Sequence, residues 1–514
     1  MPAKIDHFKP ITLILTITLV AAAFLRLYNL AGSLQFLGDQ GRDALIVSKI
    51  FKEKDPVFIG PVTSVGNMYL GPFYYYLMLP FLWLSYPSPM GPVYAVAALG
   101  ILTVWLTYRL GKELIGAKAA IIASIFLAFS ATVVEYSRFS WNPNPAPFFS
   151  LLMIYFTYKA WKSHPKFWLV VAGCFSILIQ LHYLTLLSLG GAGVIWLIQL
   201  AELIKSNSKI KKAKLFKFAL ITLISMMIFL ASLTPLILFD WKHNWLNAKA
   251  FQYLFTQEQN FKHSAPLNFT QQLQQTLQDA QGRAGLILFE YNLGQNRHLN
   301  RDLTYLVLAA LAYWLISRYR QQQLTQQKNA GLIVILAYLI TGIMGVATYE
   351  HQVYYHYIAY LFPVTALVYG FIIAWWSQHA LGKVLGLIFF GYFLQINLTN
   401  MPLQDTGWTL AEISQTSQEI LQHLEPDDQY NLVLLSESKD LYGQNYRYFL
   451  STSNNPPLDP TANSQAQKLV IINEAQAVQN VTGLPIYEIV QFQDSQISDQ
   501  FRINNGPEIT ILAK

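Results

Sequence analysis

The chain has 514 residues, of which 53% are hydrophobic and only 12% charged, with a mean hydropathy of +0.31 and a formal net charge of +7. A soluble domain carries about 25% charged residues, so a chain this long and this sparsely charged cannot clothe itself in polar surface, which excludes an ordinary water-soluble protein. The single Cys174 excludes an intrachain disulfide and a cysteine metal cluster, and its apolar setting, VVAGCFSILI, reads as core packing.

A membrane span needs roughly 20 mostly apolar residues. In chain order such runs fall at 11–30, 91–109, 117–134, 147–161, 167–182, 184–203, 217–239, 303–319, 330–348, 357–376 and 383–399, predicting about eleven transmembrane helices. The first run is followed by no small-residue cleavage site, so it reads as a span and not as a cleaved leader. The densest basic cluster, Lys205, Lys209, Lys211, Lys212, Lys214 and Lys217, lies between two apolar runs. Nucleic acid would be one partner for it, but cytoplasmic loops obeying the positive-inside rule explain it without one. With the N-terminus in the cytoplasm, RLGKELIGAK, WKSHPK, RYRQQQLTQQK and SQHALGK fall on the same side as that cluster.

The first external loop then runs over 31–90 and the chain after about residue 400 also lies outside. Residues 73–86 (FYYYLMLPFLWLSY) are apolar but short and broken by Pro80, which predicts an interfacial or re-entrant helix. From Met401 the composition turns polar. The short apolar runs NLVLLS, KLVIIN, YEIVQF and EITILA read as strands, with helices over 409–424 and 438–450. The expected architecture is an α-helical polytopic membrane protein, residues 1–400, carrying a small C-terminal α/β extramembrane domain, residues 401–514.

Candidate chemistry gathers on the outer face. Asp39, Arg42 and Asp43 stand just past the first span, with Gly38 and Gly41 flanking Asp39 so that a tight turn and a close ligand are allowed. A short amphipathic helix follows from Asp43, which is either its N-terminal cap or a functional carboxylate. After the third span comes EYSRFSWNPNP. Arg138 there either snorkels toward headgroups or pairs its guanidinium fork with a phosphate, and Asn142 and Asn144 stand beside two turn-forming prolines. His182 and Tyr183 occupy a tight turn between spans, where a histidine is either satisfied by backbone or marks a site. YEHQVYYH adds Glu350, His351 and His356 at the external interface. Nothing matches HExxH, and no DxD surrounds Asp39, so neither a metal nor a cofactor is expected.

The blocks GDQGRDAL, IGPVTS, YLGPFYYY, YSRFSWNPNP and QLHYL, in this order over residues 10–200, resemble the multi-span glycosyltransferases of the protein-O-mannosyltransferase and aminoarabinose-transferase type, a bacterial branch of the GT-C superfamily. The resemblance implies transfer of a sugar from a polyprenyl-phosphate donor, in the inner or plasma membrane, to an acceptor hydroxyl on a glycolipid, polysaccharide or protein. It also implies that an acidic residue of the first external loop is the catalytic base, which here falls on Asp39. The family commonly has Asp-Glu at that point and this chain has Asp39-Gln40, so only Asp39 carries over. Arg138 falls where relatives place a basic residue near the lipid phosphate, and Arg42, Asp43, Tyr74, Asn142, Asn144, His182, Tyr183 and His356 complete the expected substrate contacts. The rival readings are a transporter or flippase and a membrane scaffold. Transporters place their polar sites near the midplane, often within repeated halves, and this sequence has neither feature.

Overall fold

Each expected span is occupied by a helix. The computed structural model describes residues 10–63, 68–206, 210–256, 268–323, 326–349, 352–404, 407–437, 440–474, 480–503 and 506–514. Among these, 7 helical segments are long and apolar enough to cross a membrane: Pro10–Leu27, Met90–Ile115, Tyr183–Lys205, Lys211–Ser232, Asn329–Ala347, Tyr355–Trp376 and Ala380–Thr399. Helices Ala117–Phe129, Ala146–Lys162, Phe167–Leu181 and Arg297–Arg320 fill the remaining expected positions but fall short in length or apolarity.

Burial sorts these helices by position. Phe362–Gly370 is buried on every side, which an all-round apolar helix requires. Lys211–Ser232 buries Phe218 and Ile221 and leaves Leu220, Leu223, Met227 and Leu230 exposed, the surface that lipid would cover. Arg26 is fully buried in the first span and its fork is engaged by carbonyls, Nη1 donating to Ala22 and Ala128 and Nη2 to Leu127, each at 3.3 Å. It staples the first span to Ala117–Phe129.

The loop after the first span departs from expectation in one respect. Its surface helix begins at Gly38, not at Asp43, and runs to Lys52. Asp39 is therefore the first-turn carboxylate, where the helix dipole favours negative charge, and Asp43 lies a full turn deeper and cannot be the cap. The apolar segment that follows forms a 13-residue helix, Phe73–Ser85. At about 1.5 Å per residue it covers about 20 Å, too little for a hydrocarbon core of about 30 Å.

The C-terminal region is a 4-stranded sheet, β1 (Tyr430–Leu435), β2 (Lys468–Asn473), β3 (Gln496–Arg502) and β4 (Glu508–Ala513), in the order β1-β2-β4-β3. β1 and β2 are parallel, and β4 runs antiparallel to both its neighbours. Every residue of β1 is buried. Leu432 and Leu434 pack into the main core under helices Leu410–Gln422 and Gln444–Ser451, and Val433 and Leu435 into a smaller core on the opposite face. That is why the strand reads as a continuous apolar run.

YEIVQF is not a strand. Tyr487–Val490 is a short helix that buries Ile489, with Phe492 three residues on, a helical spacing that mimicked a strand's apolarity. The fourth strand is instead Gln496–Arg502, an edge whose polar, exposed residues hide it from an apolar search. The expected 438–450 helix begins at Gln444, while residues 438 and 439 lie outside the described set, as do Lys209, Glu350 and His351.

The C-terminal region packs against the loop that follows the first span. Phe36 N–H donates to the Trp408 carbonyl at 3.1 Å and Leu410 N–H to the Leu34 carbonyl at 2.9 Å. Asn445 Nδ2 donates to the Phe36 carbonyl at 3.2 Å, and Tyr448 hydroxyl to the Pro87 carbonyl at 2.7 Å. Phe36 also packs against the rings of Tyr448 and Phe449.

Candidate active site

The loop helix sets three charged side chains at i, i+3 and i+4, hence on one face. Arg42 bridges the other two. Its Nη1 donates to Asp39 Oδ1 at 2.7 Å, while Nε and Nη2 donate to Asp43 Oδ1 at 3.0 and 2.8 Å. The two carboxylates differ sharply in setting: the Asp39 side chain is 51% exposed and that of Asp43 only 6%. Tyr75 hydroxyl reaches Asp43 Oδ1 at 3.3 Å from behind. Burial pushes Asp43 up to about 6, with the Arg42 guanidinium drawing it part of the way back. Asp43 thus holds Arg42, and Arg42 holds Asp39, whose Oδ2 accepts no hydrogen bond among the described residues.

Asp39 opens into a cavity of about 980 Å³. Of the residues expected to touch substrate, Arg42, Arg138 and His356 line it with Asp39, whereas Asp43, Tyr74, Asn142, Asn144, His182 and Tyr183 do not. Tyr74 is buried beneath, its hydroxyl 2.6 Å from Ser140 Oγ. Asn142 and Asn144 brace their own loop by donating to the carbonyls of Leu181 and Phe139 at 2.6 and 2.8 Å. Tyr183 donates to the Tyr69 carbonyl.

His182 Nδ1 accepts the Leu184 N–H at 3.2 Å, the backbone-satisfied role, and its ring lies 5.7 Å from that of His356. The fork of Arg138 is occupied: Nη1 donates to the Leu25 carbonyl at 2.8 Å, and Nη2 to the Tyr28 carbonyl at 3.0 Å and Ser33 Oγ at 2.6 Å. It ties the end of the first span to the loop, as a cation at a helix C-terminus does.

Further lining residues carry chemistry. Glu135, raised above the usual carboxylate range by burial, faces the cavity from the end of the Ala131–Glu135 helix, and the Trp141 ring packs at a tilt of 58° against His356 with ring centres 4.5 Å apart. Asp440, Tyr442 and Gln444 come from the C-terminal domain. Glu135 stands within the polar segment the sequence marks out, but no motif points to Asp440. Only the docking brings it near.

The two glycines explain that docking. A Cβ on Gly38 would stand 2.3 Å from Asp440 Oδ2, and one on Gly41 would stand 2.3 Å from the Gln444 carbonyl oxygen and 2.5 Å from Asn445 N. Their absence of a side chain admits the domain rather than a turn, since both residues are helical.

A second chamber of about 630 Å³ adjoins the first, sharing Tyr136 and Tyr354. It is lined by Arg283, Glu290 and Arg297. Arg283 Nη2 donates to the Tyr349 carbonyl at 2.8 Å, and Arg297 opens the long helix Arg297–Arg320, whose amino end attracts anions. Among the described residues no group of three or more histidine, cysteine or carboxylate side chains is placed to hold a metal ion.

Over its full length this fold superposes on the crystal structure of ArnT from Cupriavidus metallidurans bound to undecaprenyl phosphate, at a TM-score of 0.57 and 11% identity, covering 99% of this chain and 98% of that one. The chain has the GT-C glycosyltransferase fold. The apo form of the same ArnT matches at a TM-score of 0.54 and 12% identity, covering 98% and 97% of the two chains. Archaeal oligosaccharyltransferase AglB from Archaeoglobus fulgidus, in complex with an inhibitory peptide and a dolichol-phosphate, has a TM-score of 0.49 at 13% identity over 91% of this chain and 70% of that chain. Residues 71–233 match the family of dolichyl-phosphate-mannose-protein mannosyltransferases. That GT-C segment runs from the Phe73–Ser85 helix to the end of Lys211–Ser232, and so includes Glu135 and Arg138. No curated protein matches the sequence.

Proposed function

We propose that the protein transfers a glycosyl group from a polyprenyl-phosphate sugar to an acceptor hydroxyl at the outer face of the membrane, with Asp39 as the general base. The observation that carries this reading is the half-exposed Asp39 carboxylate, held through Arg42 at the wall of a 980 Å³ cavity beside the first span. An acceptor hydroxyl is a weak nucleophile, so a positioned carboxylate takes its proton as the new bond forms. The sugar's anomeric carbon gains the acceptor oxygen and loses the phosphate oxygen, and the lipid phosphate departs as a stable anion without a general acid. One displacement inverts the anomeric carbon, and a product of retained configuration would overturn this step.

Support for a lipid-phosphate donor comes from the family match and from the undecaprenyl phosphate named in the ArnT complex. The forks of Arg42 and Arg138 are engaged within the protein, and the chamber that shares Tyr136 and Tyr354 adds Arg297, at the amino end of its helix, as a further phosphate ligand beside Arg283, Asp279 and Glu290. The reading is tested by release of polyprenyl phosphate from a panel of polyprenyl-phosphate sugars in detergent, with a native membrane extract as acceptor. Wild-type protein is expected to release it, and Arg297→Ala to raise the donor KM about tenfold, the loss of one charge-assisted contact. No release from any donor by folded protein would sink the glycosyl-transfer reading. The outward orientation rests on the basic loops, and a reporter fused after residue 404 is expected to be active only outside the cytoplasm.

Asp43 gives the reaction a pH dependence. A carboxyl held up to about 6 in the fold, above its usual value near 3.9, binds its proton more tightly folded than unfolded. Acidification from pH 6 toward 4 therefore favours the fold at this position while discharging the group that grips Arg42. The expected result is a fall in kcat/KM below about pH 6 with no fall in Tm, and a profile for Asp43→Asn that is low and lacks that inflection. An unchanged inflection in Asp43→Asn would remove Asp43 from the account.

A further inference from the structure

The docked C-terminal domain turns residues 440–444 into the cavity wall facing Asp39. Three side chains of that turn line the cavity, each with a distinct capability. Asp440 is a hydrogen-bond acceptor, with Oδ2 also taking the Gln444 N–H at 2.8 Å to hold the turn. The Gln444 amide both donates and accepts. The Tyr442 ring is 45% exposed and offers an apolar face. Gly443, at φ 55, supplies the left-handed residue that lets the chain turn into the Gln444–Ser451 helix.

The wall carries no cation. Asp440 disfavours a phosphate at this wall, whereas the neighbouring chamber, where Arg283 and Arg297 stand beside Asp279 and Glu290, places Arg297 at a helix amino end that favours anions. A carboxylate, an amide and an aromatic ring converging on one cavity answer a neutral ring that bears several hydroxyls: O–H groups donate to the carboxylate, the amide spans a vicinal pair, and the C–H face lies on the ring.

We propose that the Asp440–Gln444 turn is a sugar-recognition subsite, binding the vicinal hydroxyls of a glycosyl ring and so making the C-terminal domain part of the specificity of the enzyme. The inference rests on the glycosyl-transfer reading and adds to it the class of group recognised and the element that recognises it. The docking geometry supports it independently, because Gly38 and Gly41 admit the turn at distances no side chain would allow. Burial, with the negative charge of Asp39 adding to it against two backbone amides and the Arg42 guanidinium, also keeps Asp440 above the usual carboxylate range.

The ring could belong to the donor or to a sugar acceptor, and the experiment separates these. Full-length protein is assayed with a polyprenyl-phosphate sugar that the wild type turns over, and with its singly deoxygenated analogues. Release of polyprenyl phosphate is followed first with water as the only acceptor, by hydrolysis, and then with alkyl glycosides and their deoxy forms. Wild type is expected to discriminate against a deoxy ring about 10- to 100-fold per missing hydroxyl. Gln444→Ala and Tyr442→Ala, with unchanged Tm, are expected to lose activity on the parent ring by about that factor and to treat parent and deoxy forms alike.

Collapse of discrimination in the hydrolysis assay assigns the subsite to the donor sugar, and collapse only among the alkyl glycosides assigns it to the acceptor. Discrimination kept at the wild-type level in both assays would overturn the proposal. Wild-type protein that releases nothing would overturn the underlying reading instead.

Discussion

Asp39→Asn is expected to lower kcat/KM for polyprenyl phosphate release by about 10²- to 10⁴-fold, the range a positioned general base supplies. The substitution is nearly isosteric and sits at a half-exposed position, and its amide oxygen still accepts from Arg42, so fold and donor binding should persist. The loss therefore falls on kcat with the donor KM little changed, the signature of an interaction made only in the transition state. The assay compares folded wild type and variant without added divalent metal. A variant within about tenfold of wild type would move the base elsewhere, and Glu135 and Asp440 are the carboxylates that line the same cavity.

The second large effect concerns Gly41, where the membrane domain and the C-terminal domain touch. A leucine there would drive its Cβ into the Gln444 carbonyl and the Asn445 backbone, contacts of 2.3 and 2.5 Å that rigid main chain cannot yield cheaply. Overpacking of this kind costs about 1–3 kcal/mol, a shift of about 5- to 150-fold in the balance between docked and undocked domain. Gly41→Leu is expected to open the segment joining the domains to limited proteolysis and to lower turnover together. The seven helices long and apolar enough to cross a membrane should stay protected, because the clash at Gly41 falls on Gln444 and Asn445. A docked, protease-resistant Gly41→Leu protein with full activity would show that the domain interface is not what these glycines serve.

Membrane helices are legible in the chain because each must present about 20 apolar residues to lipid whatever its neighbours do, and so a helix stands at every run from 11–30 to 383–399. The buried strands Tyr430–Leu435 and Lys468–Asn473 were equally plain, as continuous apolar runs bounded by polar residues. The edge strand Gln496–Arg502 was not, since its side chains face water and carry no apolar signal.

Among the cavity-lining residues, Asp39 and Arg42 were legible in the sequence as a charged pair beside glycines at the exit of a span. The sequence also marked the polar segment 135–145 and the histidine at 356. Composition and hydropathy settled that this is a multi-pass membrane protein and where its apolar helices fall. Tertiary structure decided the rest: that Asp43 lies behind Arg42 and not in the cavity, that the fork of Arg138 is spent on the end of the first span, and that Asp440 and Gln444 meet Asp39 across some 400 residues of chain. Local sequence records what each segment demands of its solvent. Which oxygen satisfies a given guanidinium, and which domain a glycine admits, depends on segments far apart in the chain, and only packing brings those together.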